Sequence, residues 1–269
     1  MSGVALQAYG LETIDWQRPW LAPLAVSGRR VQARAVEEGG VAQALNRSAS
    51  CTTGMHFVPQ SALPAGMAYE AFIHAEHRVP TRDNLHDFFN GLVWLHYPQL
   101  KRRMNQLQAQ AIALQGVGVR RGPLRDALTV FDENGAVLLA PEALWQALQA
   151  RQWHRLFVEL RPLWRQAQLH IVGHALLEQL VRPRKPLTAH VYRPHRPWDG
   201  AQEVDAWLAE DLEPQHLADK PFTPLPVLGI PGWWAENENF SFYDDSFVFR
   251  SARPTQARQQ GVHGTGVPA

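Results

Sequence analysis

The sequence predicts an α+β fold, predominantly helical: a single domain with a small β-hairpin and an irregular, aromatic-rich C-terminal segment. Three observations predict it. Apolar residues recur at helical spacing, most regularly Leu100, Met104, Leu107, Ala111 and Leu114. Two short β-rich runs, 128–131 and 136–139, flank Asp132-Glu133-Asn134-Gly135, where Asn-Gly supplies the positive backbone angles of a tight turn. Beyond residue 220 the chain is dense in Pro, Gly and aromatic residues with no regular period, as expected of a segment wrapped over a core. A length of 269 residues with 45% hydrophobic residues suffices for one large core, and no linker divides the chain. The domain is expected to span 1–254, and the polar, Gly-rich run 255–269 to be a disordered tail.

In order along the chain, residues 1–64 are mixed, with apolar clusters around Trp16, Trp20 and Leu24 and a strand expected over 31–36. Tyr69, Phe72 and Ile73 predict a helix within 65–77 that stops before Pro80. Asp83 is the expected N-cap of the next helix. Tyr97 ends that helix, and Pro98 opens another, 98–115, at its first turn. Helices are expected at 141–149, 151–160, 169–181 and 203–212, with a strand at 187–192.

Composition removes several function classes. Lys plus Arg total 26 against 25 Asp plus Glu, for a net charge of +1 and a pI near 8.0. A dedicated non-specific nucleic-acid binder has a domain pI above roughly 9, so nucleic acid is an unfavoured partner. The lone Cys51 excludes an intramolecular disulfide and a cysteine zinc cage; beside Thr52 and Thr53 it reads as incidental rather than nucleophilic. No run reaches the roughly 18 apolar residues that span a bilayer. Met1-Ser2-Gly3-Val4-Ala5 shows no secretory signal, so a cytoplasmic location is expected.

The stretch from Pro80 to Trp94 carries the strongest functional signal. Leu85, Phe88, Phe89, Leu92, Val93, Trp94 and Leu95 cover most of a helix circumference, so polar side chains among them must be partly buried. Left unpaired, each would cost a few kcal/mol. His86, Asp87 and Asn90 lie three or four apart and can converge, and a carboxylate that orients an imidazole prepares it for base catalysis or metal ligation. The competing reading is a structural network that pins the helix.

A second array is His170, His174 and Glu178, each four residues from the next, the spacing by which imidazoles on adjacent turns reach one metal ion. The run from Leu169 to Val172 can equally form a strand ending at Gly173, which would leave only His174 and Glu178 on a helix. Asp244 and Asp245, set between aromatic residues, are a carboxylate pair able to hold a hard cation, or else to cap the chain and answer Arg250 or Arg253. Asp132-Glu133 reads as turn chemistry. Lys101-Arg102-Arg103, Arg120-Arg121 and the basic run 182–196 can hold phosphate groups or form a solvated surface. His77, with Asn84, His96 and Lys101, superficially resembles a His-Asn-His nuclease finger, though His77 ends a predicted helix and the spacing departs from that pattern.

Several of these motifs together resemble one bacterial family, domain of unknown function 3025. They are the run from Val79 to Asn90; Trp94 with Pro98 and Lys101; Phe131-Asp132-Glu133-Asn134-Gly135; and Gly173-His174-Ala175-Leu176 with Glu178. The run from Leu225 to Trp233 and Phe242-Tyr243-Asp244-Asp245 with Phe249-Arg250 complete the match, which covers roughly 65–253. The resemblance implies membership and no activity.

Residue chemistry then leads to an expected metal-assisted hydrolase of a small anionic or phosphate-bearing substrate. One divalent ion would sit on His174, Glu178 and Asp244 or Asp245, lowering the pKa of a bound water. His86, oriented by Asp87 and with Asn90 beside it, would be the catalytic base; Arg82, Trp94 and Lys101 would contact the substrate. The alternatives are a non-catalytic binding or scaffold protein whose polar helix is structural, and a His-Asn-His-like nuclease with His77 exposed in a basic groove.

Overall fold

A computed structural model describes residues 10–49, 54–116, 122–198 and 200–252. The expected tail at 255–269, together with Cys51, Arg120, Arg121 and Arg253, lies outside them. The helices are α1 (Ala25–Glu38), α2 (Val41–Ser48), α3 (Tyr69–Glu76), α4 (Leu85–His96), α5 (Pro98–Gln115), α6 (Pro123–Asn134), α7 (Glu142–Gln149), α8 (His174–Gln179), α9 (Val204–Asp211) and α10 (Pro214–Ala218). The strands are β1 (His56–Pro59), β2 (Arg78–Thr81), β3 (Gly135–Leu139), β4 (Gln168–Ile171), β5 (Thr188–Tyr192) and β6 (Phe222–Pro226). β1 and β2 pair in parallel, and a second sheet has the order β4-β3-β5-β6. In it β3 runs parallel to β5 and antiparallel to β4, and β6 is an antiparallel edge. The fold is thus α+β and mainly helical. No helix of the described residues is long and apolar enough to cross a membrane.

Helix α4 is the central element. Asn84, not Asp83, caps it: the Asn84 Oδ1 accepts from the Asp87 amide at 2.8 Å. Asp83 turns the other way, and its Oδ1 accepts from the Val41 amide at 2.7 Å, at the start of α2. Phe88, Phe89, Leu92 and Val93 are wholly buried. At roughly 1.5–3 kcal/mol for each side chain removed from water, this one helix supplies a large share of the driving force for the core. Gly91 lets it meet α2, since a Cβ there would stand 2.2 Å from the Leu45 Cδ1.

Four sequence expectations change. Residues 31–36 lie in α1, because the buried positions Gly28, Val31 and Ala35 follow a helical period that outweighs the local alternation. The hairpin at 128–139 does not form. Pro123 starts α6 at its first turn, and Ala127, Leu128 and Phe131 form a buried helical stripe through Asn134. Only 135–139 is strand, and it pairs with β4 and β5. The stretch 169–181 divides as the alternative reading had it, into β4, a turn at Gly173, and α8. Within 151–160 the helix covers only residues 153–159, and Arg155–Glu159 of it is a π-turn.

The C-terminal segment is irregular, as expected, and closes over a stack of aromatic rings. Phe157 lies nearly parallel to Trp153, Trp164 and Tyr243. Asn237, fully buried, donates from Nδ2 to the carbonyls of Leu228 and Ile230, both at 2.8 Å. The edge strand β6 contains Pro224 and Pro226.

One junction decides where the polar residues go. The amides of Val172 and Gly173 both donate to the Gly135 carbonyl, at 3.0 and 2.8 Å. A Cβ on Gly173 would stand 2.5 Å from the Gly135 nitrogen and 2.6 Å from the Asn134 backbone carbons, so only glycine fits. This contact sets the last turn of α6, with Asp132 and Glu133, against the first residue of α8, His174. Backbone cannot yield as a side chain can. Gly173→Ala is therefore expected to destabilise by about 3 kcal/mol, read by chemical denaturation; a loss under about 0.5 kcal/mol would contradict the packing described.

Candidate metal centre

His86, Glu133 and His174 converge. Their ligand atoms all lie within 4.8 Å of one another, the one such group of His, Cys, Asp and Glu among the described residues. The Nε2 atoms of His86 and His174 stand 3.0 Å apart, and a Glu133 oxygen lies 3.7 Å from His174 Nε2. Bonds of about 2.0–2.1 Å at tetrahedral angles would put two imidazole nitrogens roughly 3.3 Å apart. Two imidazole lone pairs at 3.0 Å repel each other, so a proton or a metal cation must lie between them.

A carboxylate stands behind each ring. Glu178, one turn after His174 on α8, holds His86 Nδ1 at 2.8 Å. That bond leaves the proton on Nδ1 and the lone pair on Nε2, the usual arrangement of a metal-bound histidine. Asp132 Oδ2 is 3.9 Å from His174 Nδ1, a buried nitrogen that makes no well-formed hydrogen bond among the described residues, although the Asp132 main chain also lies near enough to favour its proton. Burial brings the His174 ring down to about 4, with Asp132 opposing the shift, so the ring is neutral and able to donate its lone pair. His174 is buried, while His86, Glu133 and Glu178 are each about one-third exposed. The cluster therefore opens to solvent on one side.

Beneath it lies a second, buried layer. Lys101 Nζ is paired with Asp132 Oδ1, donates to Asn90 Oδ1 at 2.9 Å and lies 5.3 Å from the Trp94 ring centre. Asn90 in turn donates to the Tyr69 hydroxyl at 3.2 Å. Burial works to raise the Asp132 carboxyl, but the Lys101 ammonium, chief among the opposing groups, holds that carboxyl below its ordinary value. Burial raises Glu133, with Asp132 adding to the shift. Tyr69, Glu70, Lys101, Asn105 and Asp132 line a cavity of about 20 Å³, room for about one water.

The expected site is partly assembled. His86, His174 and Glu178 meet, but Glu178 supports His86 and Glu133 takes the place expected for it as a ligand. Asp87 does not face His86. Its two oxygens hold the Arg82 Nε, Nη2 and backbone amide at 3.0, 2.9 and 2.6 Å. Lys101, Trp94 and Asn90 are buried and serve the lower layer instead of facing a substrate. Asp245 pairs with Lys185 at 3.1 Å, and Asp244 is exposed; neither joins the cluster. His170 Nδ1 meets the Tyr97 hydroxyl at 3.0 Å, apart from the metal-ligating group. His77 is exposed in a groove with His74, Arg102 and Arg103, yet Asn84 is spent as a cap and His96 packs on Tyr97.

Sequence reasoning passed over Asp132 and Glu133 as turn residues. The available signal was the stripe of Leu124, Ala127, Leu128 and Phe131, which puts both acids in the last turn of a helix. There the helix dipole opposes negative charge, so an acidic pair needs another reason to be present.

Fold and site together define an α+β protein with a two-histidine, one-carboxylate cluster open to solvent. The model of the family described as "Protein of unknown function (DUF3025)" matches residues 55–253, and the chain belongs to that family. No curated protein and no solved structure matches it.

Because Asp87 binds Arg82 rather than His86, Asp87→Ala should cost about 1–2 kcal/mol of stability, measured by denaturation, through loss of the charge-assisted bonds of a buried carboxylate to a half-exposed guanidinium and to the Arg82 amide. The His86–Glu178 bond should persist. An unchanged midpoint, or loss of the His86–Glu178 bond in a crystal structure of the variant, would contradict the assignment.

Proposed function

We propose that the protein is a metal-assisted hydrolase acting on a small anionic or phosphate-bearing substrate. The observation that carries this reading is the convergence of His86 Nε2, His174 Nε2 and the Glu133 carboxylate, with Glu178 and Asp132 behind the two rings. Two histidines and one carboxylate are a ligand set for a divalent ion such as zinc. Three protein ligands on a solvent-open cluster leave room for water, whereas structural zinc sites close with four. A bound ion would supply an acidified water near neutral pH.

The protein's own groups supply the rest. Glu178 fixes the His86 tautomer. Arg82, locked by its two-point bond to Asp87, keeps a half-exposed guanidinium whose Nη1 has no hydrogen-bond partner among the described residues. Asp87 and, more weakly, Glu178 favour its charged form, and it is the group suited to neutralise a substrate anion. Arg82→Ala is accordingly expected to raise KM more than it lowers kcat.

One observation favours a second, structural reading. The 3.0 Å separation of the two Nε2 atoms is also a hydrogen-bond distance, and a single proton can close the pair without metal. Elemental mass spectrometry of protein purified without chelator separates the two. The metal reading expects a stoichiometric divalent ion in the wild type, lost in folded His174→Ala and Glu133→Ala, and metal-dependent cleavage of simple phosphate esters. A wild type that stays metal-free after reconstitution with zinc, manganese, iron and cobalt would overturn it.

A further inference from the structure

We infer that Lys101 is a positioning residue of the metal centre: by holding Asp132 it fixes the orientation of His174, so that Nε2 faces His86 and Glu133. This rests on the reading of that cluster as a metal centre. Lys101 touches none of the three ligating groups in the contacts the structure shows; it acts through Asp132.

The ammonium is almost wholly buried, 5% exposed, at the junction of α4, α5 and α6. Its setting includes the apolar side chains of Trp94, Met104 and Leu128. A leucine or methionine would pack there without the cost of dehydrating a charge, and buried ion pairs are often no more stabilising than apolar residues of similar volume. Stability alone gives little reason for the Lys101–Asp132 pair as a whole, since apolar residues at both positions would serve as well. Geometry gives one. Lys101 engages Asp132 Oδ1 and so leaves Oδ2 as the oxygen turned toward His174 Nδ1.

A histidine that donates its Nε2 lone pair to a cation must carry its proton on Nδ1, and that proton needs an acceptor. His174 Nδ1 is buried, and Asp132 supplies the carboxylate nearest to it among the described residues, at 3.9 Å. Moving roughly 1 Å closer would complete the bond. Asp132 itself is one-fifth exposed, so without Lys101 its carboxylate is free to turn toward water. Asn90 and the face of Trp94 fix Lys101, and the Tyr69 hydroxyl fixes Asn90. The positioning therefore runs from α3 through α4 and α5 to α6 and ends on His174.

Cobalt(II) is the probe, because its visible absorption reports ligand geometry directly. Wild type, Lys101→Met, Lys101→Gln and the double variant Lys101→Met/Asp132→Asn are titrated with Co²⁺, and each is checked by thermal melting. The double variant removes both charges of the Lys101–Asp132 pair, so neither partner is left stranded by loss of the other, and it tests the inference even where a single variant does not fold. Each folded variant is expected to bind Co²⁺ about 10–100-fold more weakly than wild type, with a shifted visible band. A folded double variant with wild-type affinity and an unshifted band would overturn the inference and leave the pair purely structural. Wild-type protein that binds no Co²⁺ would instead sink the metal centre itself, and the inference with it.

Discussion

An ammonium group taken out of water must be surrounded by groups of opposite polarity, and the Lys101 environment meets that demand from several elements at once. Asp132 comes from α6, and Asn90 and the Trp94 ring from α4, while Tyr69 of α3 holds Asn90 in place. Each contact is geometrically demanding, so the four helices can settle only where all of them are made. Deleting one partner leaves a charge stranded, which costs about 3–5 kcal/mol in comparable buried pairs. The registration of α3, α4, α5 and α6, and with it the floor of the candidate site, depends on this one dehydrated group.

The same logic explains which parts of the molecule were legible in the sequence. Helix α4 could be read because its apolar residues leave so little room for His86, Asp87 and Asn90 that their burial follows from counting. Helix α5 could be read from its spacing, and the capping role of the aromatic C-terminal run from its composition. The partners of the polar residues could not be read, because they lie far along the chain. Glu178 is 92 residues from His86, and local spacing says nothing across that distance. Asp87 looked like the group that orients His86, yet the turn between β2 and α4 brings Arg82 within reach first. Asp132-Glu133-Asn134-Gly135 has the composition of a hairpin tip, and only the stripe behind it and the packing of Gly135 on Gly173 make it a helix end.

The two layers of polar residues divide between them the tasks that the sequence had assigned to one. Buried and saturated groups, Asp87, Asn90 and Lys101, fix positions; the partly exposed His86, Glu133 and Glu178 remain open to a ligand. His174 belongs to both layers, with its ring buried and its Nε2 at the open cluster. The family match extends over all of these residues, from the start of β1 through the aromatic cap. On the proposed reading, chemistry happens at the upper layer and accuracy is set by the lower one.

The two prolines of β6 have a consequence of a different kind. Pro224 and Pro226 are two residues apart, so both fall on the same side of the strand, and neither has an amide to donate. Antiparallel pairing with β5 leaves alternate amides facing away from the sheet, and prolines are tolerated only at those outward positions. The outer edge of β6 therefore lacks the row of donors that another chain's strand would need. Growth of the sheet into a larger assembly is blocked on this side by the covalent structure of the chain itself, with no covering loop or surface charge required.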